Sequence, residues 1–132
     1  MLNEKDDFMR VGHIYMKHLA NFSAMIAGFK NMADAKTIES LSVTDKGESA
    51  AGMQLFGVSY LLRHRFNPSG DDGKGESTVT AYRVDDLDDE KLMEVMAIRM
   101  TTGGNVLDCP SGHTYNGLKE FNDIFVQLFG DN

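Results

Sequence analysis

The densest chemical signal in the sequence is Asp108–Cys109–Pro110–Ser111–Gly112–His113, which places a thiol and an imidazole on one short loop ahead of an apolar helical pattern. A thiol near a helix N-terminus ionises more readily, and a neighbouring imidazole can take its proton, so Cys109 and His113 are candidates for nucleophilic or redox chemistry. The same residues also make an ordinary loop. Pro110 and Gly112 form turns, Ser111 can cap a helix, and Cys109 can serve as a small apolar residue.

A second chemical signal is cationic. Arg63, Arg65, Arg83 and Arg99 are four of the five arginines, and all four are odd-numbered within segments of strand-like alternation. Gathered on one sheet face, planar guanidinium groups suit a carboxylate, a phosphate or an acidic peptide. Salt bridges to Glu39, Glu94 or the acidic turns are the plainer use of the same charges. His64 alternates into the apolar face of the same segment as Arg63 and Arg65, at the expected rim, and joins them as a candidate ligand-binding residue.

Metal and phosphate chemistry are poorly matched. His13 and His18 are five residues apart, which separates them on a helix surface and disfavours a zinc pair. The acidic runs Asp71–Glu76 and Asp85–Glu90 lack the ligand spacing of a calcium-binding helix–loop–helix. Gly73–Lys74 is not followed by the hydroxyl and helix of a phosphate loop. No metal and no cofactor are expected.

Composition narrows the class further. The chain has 132 residues, 42% of them hydrophobic and 25% charged, which suits one folded domain spanning 1–132. A net charge of −7 opposes nucleic acid and anionic membranes as partners. A single cysteine excludes an internal disulfide and fits a reducing compartment. The acidic start, MLNEKDD, and the absence of a long apolar run predict a cytoplasmic protein with no membrane partner.

The elements that must position these residues begin with a long helix. Phe8, Val11, Tyr15, His18, Phe22, Met25, Phe29 and Met32 follow at spacings of three and four, which predicts one amphipathic helix over about 3–35, with Asn3 as its N-cap. At 1.5 Å per residue it is roughly 45 Å long, against a radius of gyration of about 14 Å for a compact domain of this size. Its first half is charged and expected to project. Leu19–Phe29 has no charge and is expected to be buried, with Ala20, Ala24 and Gly28 forming a small-residue ridge for a second packing surface.

After the helix the period shortens to two. Strands are predicted around Leu41–Val43, over Ala51–Phe66, over Thr78–Val84 and over Leu92–Thr102. The second has Phe56, Val58, Tyr60, Leu62 and Phe66 on one even-numbered face. Leu118, Phe121, Ile124, Phe125, Leu128 and Phe129 predict a terminal helix stopped by Gly130. The expected fold is α+β: a long N-terminal helix packed on a four-stranded antiparallel meander, with a C-terminal amphipathic helix. That layout is similar in outline to cystatin-like folds, in which a helix lies against a curved antiparallel meander.

Small size, acidity and a long apolar helix favour a non-catalytic protein-interaction module, of the small acidic accessory, chaperone, inhibitor or immunity type. It is expected to act as a homodimer and to bind a protein partner. The expected interface comprises Phe8, Val11, Tyr15, His18, Ala20, Ala24 and Gly28. The alternatives are a small-molecule-binding protein or enzyme with a pocket between helix and sheet, and a thiol-dependent activity at Cys109 and His113.

Overall fold

A computed structural model describes residues 5–36, 38–85, 87 and 91–104. Helix α1, Lys5–Asp34, is followed by strands β1 (Ser42–Asp45), β2 (Ala50–Leu55), β3 (Val58–Asn67), β4 (Glu76–Val84) and β5 (Leu92–Thr101). The strands pair antiparallel in chain order, so among the described residues the sheet is a plain five-stranded meander. The α+β class holds. The expected Asn3 cap, the Cys109–His113 loop and the C-terminal helix lie outside the described residues.

The expected four strands are corrected to five because the segment predicted as one long second strand is a hairpin. Leu55 pairs with Val58 around Phe56–Gly57, whose φ angles are 52° and 79°. Two-residue hairpins favour turns in which both central residues have positive φ. Glycine meets that need freely, whereas phenylalanine does so at a cost of about 1 kcal/mol. Phe56 is 74% exposed at the tip, not in the apolar face to which its even number assigned it. The turn also exchanges parity: odd residues Ala51, Met53 and Leu55 face inward on β2, and even residues Tyr60, Leu62 and His64 do so on β3.

One face of the sheet packs against α1. Phe22, Met25, Phe29, Leu62, Val79, Ile98 and Met100, each at most 2% exposed, fill the centre of that interface. Each large side chain buried there contributes about 1.5–3 kcal/mol. The helix ends with Ala35 N–H donating to the Asn31 carbonyl and with Lys36 in the left-handed region at φ 55°, a left-handed stop made without glycine. Lys30 Nζ meets Asp45 Oδ2 at 2.6 Å on the surface, between the last turns of the helix and the end of β1. No described helix is long and apolar enough to cross a membrane.

Candidate functional site

Three arrangements combine chemistry-bearing residues. The first lies inside the helix–sheet interface and joins His18 of α1, His64 of β3 and Ser77 of β4. His18 falls on the inward stripe of the helix, and Ser77 shares the inward parity of Val79 and Ala81. His18 Nδ1 is 2.5 Å and His64 Nε2 is 2.7 Å from Ser77 Oγ. His18 Nε2 is 3.0 Å from Thr102 Oγ1, which donates to the Lys74 carbonyl at 3.0 Å, and Asn21 Nδ2 donates to the Thr102 carbonyl.

These contacts dictate where the protons sit. A carbonyl only accepts, so the Thr102 hydroxyl proton is committed to Lys74 and His18 Nε2–H must donate to Thr102. In the neutral ring His18 Nδ1 is then bare and accepts the Ser77 hydroxyl proton. Ser77 in turn accepts from His64 Nε2–H. The result is a one-way chain of donors in which both imidazoles are neutral.

The surroundings favour the same state. Burial lowers the His18 pKa below 6.5, opposed by a backbone contact with Gly75. Burial, and then the nearby His18, lower His64 to about 4. Aromatic rings close the site: Phe22 stacks on His64 at 5.3 Å, and Phe66 lies 5.0 Å from His18 and 5.5 Å from Tyr15. A serine beside an imidazole has the composition of an activated nucleophile, but Ser77 is fully buried and engaged from both sides, so no substrate can approach Oγ. The chain of donors pins helix to sheet. Among the described residues no group of three or more His, Cys, Asp or Glu side chains could hold a metal.

The second arrangement is the exposed side of α1. Phe8, Met9 and Met16 are 58%, 54% and 61% exposed, and Tyr15 is also exposed. Farther along the helix, Met16, Leu19, Ala20, Ser23 and Ala27 form one wall of an open groove of about 420 Å³, and Asp45, Gly47, Glu48 and Ala50 of the β1–β2 turn form the other. Of the residues expected at a partner interface, Phe8, Tyr15, Ala20 and Ala24 are exposed and Val11 is half-buried. His18 and Gly28 are buried. Ala20, Ala24 and Gly28 therefore do not form one free ridge, and the exposed stripe runs through Met9, Met16 and Ala20 instead.

The third arrangement is the face of the sheet turned away from α1. Residues directly opposite in an antiparallel pair share a face. Arg65 and Arg99 both pair with Thr78, and Arg63 pairs with Thr80 two residues along, so these three arginines are together. Arg83 is three residues from Thr80 and pairs with the inward-facing Tyr60, which puts it on the other face. It lines a separate groove of about 460 Å³ with Leu87 and Met93. His64, expected at the rim, is 4% exposed and belongs to the buried chain rather than to the arginines. Cys109 and His113 lie outside the described residues.

Ser77, Thr102 and Asn21 are the site residues that the sequence reading missed. Ser77 shares the odd-numbered parity of Val79 and Ala81, and that parity is the signal available for it. No protein-family model, no curated protein and no solved structure matches the chain.

Proposed function

We propose that this chain is a non-catalytic protein-interaction module that acts as a homodimer through the exposed side of α1. The observation that carries the reading is the exposure by more than half of Met9 and Met16 on the side of α1 turned away from the sheet, with Phe8 exposed at the start of the helix. Large apolar side chains clustered at a surface mark a docking site more often than an isolated one does. Beside them, Ala20, Ser23 and Ala27 leave room in the groove for the backbone of a second helix. A second copy supplies such a helix through a two-fold axis, with the same stripe on both sides of the contact. The alternative of a ligand held between helix and sheet gains no support from the filled centre of that interface.

Methionine chemistry offers a direct test. Oxidation by excess peroxide is read at Met9 and Met16 as protein concentration rises from nanomolar to tens of micromolar, with buried Met25 and Met32 as internal references. The dimer protects Met9 and Met16 progressively. Unchanged rates across that range contradict it.

A further inference from the structure

The outward face of the sheet gathers four cations beside the carboxylates of Glu76 and Glu94, on a protein whose net charge is −7. Arg65, Thr78 and Arg99 form one cross-strand row. Strands are about 4.8 Å apart, so the two arginine backbones stand roughly 10 Å from one another with the threonine hydroxyl between them. Arg63 stands one step along β3, with its guanidinium 5.4 Å from the centre of the Tyr82 ring. Lys46 reaches the same face, since its Cε lies 3.1 Å from where a side chain on Gly52 would begin. Among the described residues only Arg99 of these four has a carboxylate partner, Glu76 at 3.4 Å.

We infer that this face is a binding site for an acidic segment of a partner polypeptide, whose Asp or Glu carboxylates pair with Arg63 and Arg65, beside Arg99 held by Glu76. Each guanidinium can hold a carboxylate through two parallel N–H donors. An extended peptide repeats its same-side residues about every 6.8 Å, twice the rise per residue, which matches the spacing of Arg63 and Arg65 along β3. A nucleic acid fits less well. Single strands are held largely by stacking on exposed aromatic rings, and on this face the one aromatic among the described residues is Tyr82, already covered by Arg63. The net negative charge repels any polyanion at long range, so capture depends on this local constellation. The face is separate from the α1 stripe, and either surface can fail without the other.

The test is fluorescence anisotropy with a tagged, acetylated hexaglutamate peptide at low ionic strength, beside a hexaglutamine peptide and an oligothymidylate. Hexaglutamate binds saturably, added salt weakens it, and hexaglutamine does not bind. The substitutions Arg63→Gln and Arg65→Gln together weaken binding about tenfold or more. Arg83→Gln, on the opposite face, changes it by less than about twofold. Absence of saturable hexaglutamate binding, equal loss in the Arg83 variant, or tighter binding of oligothymidylate than of hexaglutamate would each overturn the assignment.

Discussion

His18 on the helix and His64 on the sheet share one hydroxyl, that of Ser77, at 2.5 and 2.7 Å. One oxygen with one proton satisfies two rings only because one ring donates to it and the other accepts from it. Removing that oxygen leaves a buried donor and a buried acceptor without partners, at about 1–3 kcal/mol each. Ser77→Ala is expected to destabilise the protein by roughly 2–4 kcal/mol in denaturant unfolding, whereas Ser69→Ala, in an exposed turn, stays within about 0.5 kcal/mol.

The same arrangement sets a pH dependence. Both histidines have folded-state pKa values below the ordinary 6.5, with His64 at about 4. Through that window the unfolded chain binds protons that the folded chain refuses, so stability is fully present above 6.5 and is lost as pH falls toward 4. Each histidine contributes a slope of about 1.4 kcal/mol per pH unit while only its unfolded form is protonated. Neither ring has a carboxylate among its hydrogen-bond partners to hold an added proton. Thermal unfolding followed from pH 7 to 5 should show the midpoint falling. His64→Phe flattens the slope.

Gly75 is where the β3–β4 connection touches the helix. A β-carbon there would lie 2.7 Å from Ile14 Cγ2 and 3.2 Å from Phe66 Cε1, at a φ of 98° that side chains disfavour. Gly47, at φ 108° with open space around it, carries the backbone strain without the collision. Gly75→Ala should therefore cost about 1–3 kcal/mol more than Gly47→Ala. Equal losses in chemical denaturation would show that the loop does not bear on α1.

How much of this was readable in advance depended on whether the information was local. The spacing of Phe22, Met25, Phe29 and Met32 is a property of one segment, and it located the buried half of α1. Strand existence was equally legible, but the β2–β3 hairpin was not, because Phe56–Gly57 lacks the Asn-Gly or Asp-Gly signature and an apolar residue occupies its tip. Missing that turn lost the exchange of parity between β2 and β3. Pairing also decides the faces: Arg99 joined Arg63 and Arg65 through register with β4, while Arg83 fell on the opposite side although its number is also odd. The His18–Ser77 contact spans 59 residues and depends on how helix and sheet dock, for which no local pattern exists.

The hairpin itself can be improved. Phe56→Asn installs a residue that tolerates the left-handed region and removes an exposed aromatic without touching the core. The variant should gain about 0.5–1 kcal/mol. A lowered unfolding midpoint would mean that Phe56 makes a stabilising contact that its exposure conceals.

The central claim is association through α1, and sedimentation equilibrium tests it most directly. At micromolar concentration the chain should sediment at twice its 14.6 kDa mass, and Met9→Glu with Met16→Glu should return it to the single-chain mass without lowering helix content. A wild-type mass of 14.6 kDa throughout the micromolar range would contradict the account.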